Sequence, residues 1–71
     1  MRYDLSKFPQ RLKQARETKG LSQTKLGELT GIPLPCLSKY ETEKNLPNTL
    51  NLIILAEGLG VSLEWLCGYD V

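Results

Sequence analysis

Among the side chains of this 71-residue sequence that could do chemistry, nine cations and two thiols stand out, and the chain contains no histidine. The absence of histidine removes the commonest general base and a common metal ligand. Cys36 and Cys67 lack the short spacing of a metal site, and no secretory context favours a disulfide between them. Binding of anions by lysine and arginine is the chemistry that remains.

The cations are unevenly distributed along the chain. Residues 1–44 contain all nine lysines and arginines and five acidic residues, a net charge of +4, whereas the remaining 27 residues contain three acidic residues and no cation. Such asymmetry suits a domain that presents one end to phosphates, although a solvated basic surface gives the same pattern. The nine cations are Arg2, Lys7, Arg11, Lys13, Arg16, Lys19, Lys25, Lys39 and Lys44.

The elements that could position these cations are best defined in residues 23–42, QTKLGELTGIPLPCLSKYET. Leu26 and Leu37 supply apolar anchors, and Gly27 is small enough to let a second helix approach. Gly31 lies at the joint, where a residue with positive φ is needed. This spacing is typical of a helix-turn-helix, which presents one exposed helix at an angle that fits the major groove of DNA.

The rest of the chain also has helical rather than strand periodicity, which predicts an all-α domain. Ser6, Ser22, Asn48 and Ser62 precede predicted helices and are expected to act as N-caps. Two prolines fall in the first turn of the third helix, where proline is tolerated. The five helices are predicted at about residues 8–19, 22–30, 33–42, 49–57 and 63–67.

Burial and domain organisation follow from the same pattern. Leu29 is expected on the apolar face of the second helix, and the fourth helix, with Leu50 and Ile53, is expected to be largely buried. Residues 1–5 are expected to form a flexible arm. The sequence therefore predicts a single domain over residues 1–71.

Several functional classes are disfavoured by what the sequence lacks. No run of 18 apolar residues or signal-peptide pattern occurs, which predicts a cytoplasmic protein. No nucleophile motif is present, and a chain of this size has no room for a deep pocket, so we expect neither an enzyme nor a cofactor, metal or small-molecule site.

Three blocks of the sequence, RLKQARETKGLSQTKLGELTGI, CLSKYE and LAEGLGVSLEWL, together resemble the Cro/repressor-type helix-turn-helix family. The resemblance covers about residues 8–68 and implies a compact five-helix, lambda-repressor-like domain with a central helix-turn-helix. Members of the family are bacterial or phage transcription regulators that bind operator DNA, commonly as homodimers. The resemblance thus implies a double-stranded DNA partner, a homodimer, and repression by a prophage or mobile-element protein.

The resemblance also implies roles for individual residues. Base reading would fall to Leu34, Pro35, Cys36, Ser38 and Lys39. Phosphate contacts would come from Ser22, Gln23, Thr42, Lys44 and Asn45. A structural ion pair would join Arg16 and Glu41, and the dimer interface would contain Leu63 and Leu66.

The chain departs from the family pattern at the turn that faces the groove. This turn usually carries polar side chains that bond to base edges, whereas here it is Pro33-Leu34-Pro35-Cys36. Leu34 and Pro35 can offer only apolar contact, for example to thymine methyl groups, so specificity is expected to be modest per site or to depend on DNA shape and dimer spacing. The same turn leaves open an alternative function, a protein-interaction module such as an antitoxin-like or anti-regulator subunit.

Overall fold

A short 3₁₀ helix and five α-helices make up the chain in the computed structural model, which describes residues 2–70. No strand occurs in this part of the chain, and the predicted all-α fold with five α-helices is confirmed. None of the helices within residues 2–70 has the length and apolar character needed to cross a membrane. The elements are a 3₁₀ helix Leu5–Lys7, α1 Phe8–Thr18, α2 Gln23–Thr30, α3 Leu34–Glu41, α4 Thr49–Leu59 and α5 Leu63–Leu66.

The helix-turn-helix is formed by α2, α3 and the three residues between them. Ser22 begins it by accepting a hydrogen bond from the backbone N–H of Lys25, as its predicted N-cap role requires. Gly31 ends α2 in the left-handed conformation, with φ of 76°. A Cβ atom at Gly27 would lie 3.0 Å from the carbonyl oxygen of Ile32, so glycine is what allows the turn before α3 to pass close to α2.

The start of α3 accommodates both of its prolines. Pro33 is the N-cap residue, and its carbonyl oxygen accepts hydrogen bonds from the backbone N–H groups of Cys36 and Leu37. Pro35 lies in the first turn, where a backbone N–H would have no intrahelical partner. The third helix therefore begins at Leu34 without the loss of a helical hydrogen bond.

The core joins all five helices through one cluster of apolar side chains. Tyr40 contributes its ring to the cluster at 6.1 Å from Phe8, and its hydroxyl oxygen accepts a hydrogen bond from Asn51. Trp65 is half-buried and packs against the cluster. The buried residues of this cluster are Phe8, Leu12, Ala15, Leu26, Ile32, Leu37, Tyr40, Leu55, Ala56, Leu59 and Leu66.

Three residues predicted to be buried are instead exposed. Leu29 is 60% exposed, Leu50 is 64% exposed and Ile53 is 39% exposed. The prediction of a largely buried fourth helix was wrong for its first half, because all the buried residues of α4 lie in its C-terminal half. Helix α4 has apolar residues around more of its circumference than the other helices cover, so some of them remain exposed.

Two helix ends differ from the sequence prediction. Lys7, not Ser6, is the N-cap of α1, because the 3₁₀ helix runs directly into it; Asp4 caps that 3₁₀ helix by accepting from the backbone N–H of Ser6. Hydrogen bonds from Ser6 lower the pKa of Asp4. Helix α4 continues through Gly58 and ends at Gly60, which has φ of 68°.

Residues 2–5 do not form the flexible arm that was predicted, and residue 1 lies outside the described residues. The backbone N–H of Asp4 donates to the carbonyl of Gly68, and the N–H of Asp70 donates to the carbonyl of Arg2. Tyr3 packs on Tyr69 with ring centroids 4.9 Å apart. These contacts fix the segment against the residues that follow α5, a pairing across more than 60 residues that no local pattern encodes.

Candidate nucleic-acid interface

The outward face of α3 contains most of the residues to which the sequence assigned base reading. Leu34 is 44% exposed, Pro35 and Lys39 are also exposed, and Ser38 is half-buried. The opposite face, with Leu37 and Tyr40, is buried in the core. The helix therefore presents an apolar N-terminal turn followed by one cationic side chain.

Cys36 differs from the other predicted base-reading residues, because it is half-buried and packs against the core cluster. Its location is intermediate between the two faces of α3, so it offers less surface to a groove than Leu34 or Lys39. Both Cys36 and Cys67 are free thiols. Burial raises the pKa of the Cys67 thiol, which keeps that residue in its less reactive form.

The N-terminus of α2 offers hydrogen-bond donors next to α3. Ser22 uses its hydroxyl oxygen as the cap acceptor, which leaves its O–H as a donor. Gln23 is half-buried, and its side-chain nitrogen donates to Glu41 at 3.1 Å. The backbone N–H groups of Gln23 and Thr24 belong to the first turn of the helix and have no intrahelical acceptor.

The loop after α3 contains the remaining predicted phosphate contacts. Lys44 and Asn45 are exposed. Thr42 is exposed too, but its hydroxyl group donates to the carbonyl of Ser38 at 2.9 Å and is occupied within the helix end. In residues 2–70 neither Lys39 nor Lys44 forms an ion pair, so both cationic groups near α3 are available.

Glu43 has a strained backbone in this loop. Its φ is 65°, which makes it the one residue other than glycine with positive φ among residues 2–70. The N–H of Lys44 donates to the carbonyl of Lys39 across it, which is the hydrogen bond of a Schellman motif. The position after a helix is normally glycine for this reason.

Glu43→Gly is therefore expected to stabilise the domain by about 0.5–1 kcal/mol, because glycine adopts the left-handed conformation without strain. Thermal unfolding followed by circular dichroism measures the change. Glu43→Gln is the control, since it removes the charge but keeps the Cβ atom, and any stabilisation by relief of the helix dipole should be smaller than that of Glu43→Gly. Equal stabilisation by both variants would assign the effect to charge and contradict the strain argument.

Arg16 and Glu41 form an ion pair behind α3. The Nε atom of Arg16 lies 2.7 Å from Oε2 of Glu41, and Nη2 lies 3.1 Å from Oε1. A third group of Arg16, Nη1, donates to the carbonyl of Leu21 at 2.7 Å. The hydrogen bonds to Glu41 raise the pKa of Arg16. The pair links α1, the turn after it and the last residue of α3.

Two cations that the sequence counted as part of a basic surface have intramolecular partners. Lys7 and Arg11 both form ion pairs with Asp70. Arg11 also donates to the carbonyls of Trp65 and Tyr69, and its guanidinium lies 5.1 Å from the centroid of the Trp65 ring. The basic and acidic segments of the chain thus partly neutralise each other away from α3.

Leu63 and Leu66, predicted to form a dimer interface, have different environments. Leu66 is fully buried in the core and has no surface to offer a partner, so its assignment to an interface was wrong. Leu63 is 36% exposed. Helix α4, which packs against α5, has two apolar side chains that are more exposed than Leu63. They are Leu50 and Ile53.

Known sequences resemble this chain over most of its length. A family model described as helix-turn-helix matches residues 12–66. The transcriptional repressor RstR of the cryptic phage CTXphi, from Vibrio cholerae, is 34% identical over 62 residues, which are 87% of this chain and 55% of that protein. An uncharacterised HTH-type transcriptional regulator, YonR, derived from the SPbeta prophage of Bacillus subtilis, is 39% identical over 59 residues, 83% of this chain and 55% of that protein. The chain thus spans about half the length of these relatives.

Solved structures share the fold. The restriction-modification controller protein C.AhdI of Aeromonas hydrophila is similar with a TM-score of 0.81 and 35% identity, over 89% of this chain and 96% of that one. The P22 c2 repressor, solved in complex with a synthetic operator, is similar with a TM-score of 0.83 and 27% identity. This match also covers 89% of this chain and 96% of that one. These likenesses confirm the predicted repressor-type five-helix fold. The match to residues 12–66 and the relatives above 30% identity show that this chain belongs to the helix-turn-helix family.

Proposed function

We propose that this chain is a sequence-specific DNA-binding transcriptional regulator that inserts α3 into the major groove of an operator. The observation that carries the proposal is the packing of α2 and α3 about a tight turn at Gly27 and Gly31, which leaves one face of α3 exposed together with Lys39 and Lys44. An exposed helix held against a second helix by a tight turn is the arrangement that helix-turn-helix proteins use for major-groove recognition.

The relatives support the same function. RstR is named as a phage transcriptional repressor, and the P22 c2 repressor was solved on a synthetic operator. A role in repression, in a prophage or mobile element, is therefore the form of regulation that we propose.

Some residues of the interface would contact base edges and others would contact phosphates. Lys39 is the one cationic side chain on the outward face of α3 and is suited to donate to guanine, whereas Leu34 and Pro35 offer apolar contact to thymine methyl groups. Ser22, the N-terminus of α2, Lys44 and Asn45 would contact phosphates on either side.

The proposed regulator binds as a homodimer. Two copies related by a twofold axis would place their α3 helices in successive major grooves about 34 Å apart. Because Leu66 is buried, we assign the interface to exposed Leu63 together with the exposed face of α4, where Leu50 and Ile53 are three residues apart and share one side.

Lys44→Ala is expected to weaken binding to all DNA sequences by a similar factor and to lower the salt dependence of the affinity. Loss of one phosphate contact should reduce the slope of log affinity against log salt by about one. Fluorescence anisotropy with a mixed-sequence duplex at several salt concentrations measures this slope. Lys13→Ala removes the same charge from the exposed surface of α1 and should leave the slope unchanged; equal slopes for the two variants would contradict the assigned face.

Selection of bound sequences from a random duplex pool tests the proposal as a whole. Enrichment of an inverted repeat whose half-sites are about one helical turn apart would support a dimeric operator-binding protein. The absence of any enriched sequence would overturn the proposed sequence specificity.

A second candidate function is a protein-interaction module, favoured by the apolar Leu34–Pro35 turn at the start of α3. For that function, DNA binding should be weak and should lack the steep salt dependence that counterion release gives. The salt titration above separates the two functions.

A further inference from the structure

One carboxylate in this domain accepts hydrogen bonds from two different helices. Oε1 of Glu41, at the end of α3, accepts from Nη2 of Arg16 on α1 and from Nε2 of Gln23 on α2, each at 3.1 Å. Oε2 of the same carboxylate accepts from Nε of Arg16 at 2.7 Å. Glu41 therefore joins the first three helices at one point.

The burial of this carboxylate limits what it can do itself. The side chain of Glu41 is 5% exposed and that of Arg16 is 12% exposed, so neither presents a substantial surface to a ligand. Gln23 is half-buried and is the first residue of α2, next to the unsatisfied backbone N–H groups of that turn. Of the three, Gln23 is the residue that can contact both the network and a bound phosphate.

The chemistry of the amide makes the contact directional. A carboxylate only accepts hydrogen bonds, so Glu41 selects the NH₂ end of the Gln23 amide and repels its carbonyl end. One N–H donates to Glu41, and the second N–H has no partner within residues 2–70. A long, flexible side chain is thereby ordered before DNA arrives, and its rotamer entropy is not lost on binding.

We propose that Glu41 is a positioning residue of the DNA interface, which orders Gln23 for its phosphate contact through the hydrogen bond between their side chains. The inference rests on the proposed function, because it assumes that Gln23 contacts DNA. It assigns to Glu41 a role in binding in addition to its ion pair with Arg16.

A double-mutant cycle between Glu41→Gln and Gln23→Met tests this assignment. Glu41→Gln replaces one acceptor oxygen with an NH₂ group that can only donate, so position 41 no longer selects the NH₂ end of the Gln23 amide and the fixed orientation of that amide is lost. Affinity for a mixed-sequence DNA duplex should fall by about fivefold in the wild-type background and change by less than about twofold once Gln23 is Met. Equal losses in the two backgrounds would overturn the proposal, because Glu41 would then act independently of Gln23.

The control for this cycle is Glu28→Gln, which makes the same chemical change and the same change in net charge on the exposed surface of α2. The affinities are measured at a temperature at which circular dichroism shows every variant to be folded. If the wild-type chain bound no duplex, the proposed function and this inference would both fail. If the wild type bound but the cycle showed no coupling, only the role of Glu41 would fail.

NMR of the unmodified chain provides a test that does not require the Glu41 variant to fold. The side-chain amide proton of Gln23 that is bonded to Glu41 should exchange with water more slowly than the side-chain amide protons of Gln10 and Gln14, which are exposed on α1. Exchange of all three at the same rate would show that Gln23 is not ordered by Glu41 and would overturn the proposal.

Discussion

Replacing Arg16 with methionine is expected to destabilise the domain by about 3–5 kcal/mol, because the substitution leaves the Glu41 carboxylate buried without its cation. The side chain of Glu41 is 5% exposed and would stay largely shielded from water after the substitution. The same change removes the hydrogen bond to the carbonyl of Leu21. Since small domains have about 5–15 kcal/mol of stability, this one substitution should remove much of it. Urea unfolding measures the loss.

Two further variants distinguish the cost of an unpaired buried carboxylate from the cost of losing the ordinary contacts of Arg16. The double variant Arg16→Met with Glu41→Leu removes both charges and should recover most of the stability, because an apolar pair has no desolvation penalty. The variant Lys25→Met breaks an ion pair whose side chains are 70% and 64% exposed and should change the stability by less than about 1 kcal/mol. A double variant as unstable as Arg16→Met alone would contradict this account of the network.

The parts of the fold that the sequence predicted well depend on local chemistry. Ser22, Asn48 and Ser62 each accept a hydrogen bond from the backbone N–H three residues later, as their residue types and positions predicted. Gly27 and Gly31 were predicted from the need for close approach and for positive φ, and both needs are met within ten residues of chain. Local hydrogen bonds and backbone conformation leave a signature in the sequence.

The parts that the sequence did not predict depend on distant partners. Arg11 was counted as a surface cation, but two of its acceptors are the backbone carbonyls of residues 65 and 69, which carry no residue-type signal. Leu50 and Leu66 look alike in an apolar pattern, and only the packing of α4 and α5 leaves one exposed and buries the other.

The candidate site shows the same division. The residues of α3 and of its loop could be assigned roles by resemblance, and the family pattern also suggested the pairing of Arg16 with Glu41. The bond from Gln23 to that carboxylate was not foreseen, because no pattern in the sequence indicates that an acceptor already paired with arginine also accepts from a second donor.

Leu50→Glu is expected to convert the proposed dimer to a monomer, visible as a halved mass in analytical ultracentrifugation. Leu50 is 64% exposed in the first turn of α4, so a charge placed there would have to be buried when two copies meet. An acidic residue near a helix N-terminus is favourable, and the monomer itself should stay folded. Operator affinity should fall about 100-fold or more, because two linked half-sites bind far more tightly than one.

Leu29→Glu is the matched control, since Leu29 is 60% exposed on α2 and lies beside Gly58, toward the other end of α4 from Leu50. It introduces the same charge on a comparable apolar surface and should leave the mass and the operator affinity near their wild-type values. Measuring both mass and affinity also distinguishes a role of Leu50 in dimerisation from a role in DNA contact. If Leu50→Glu stayed dimeric while its operator affinity fell, Leu50 would contact DNA instead. An unchanged mass together with unchanged affinity would remove the exposed face of α4 from the interface altogether.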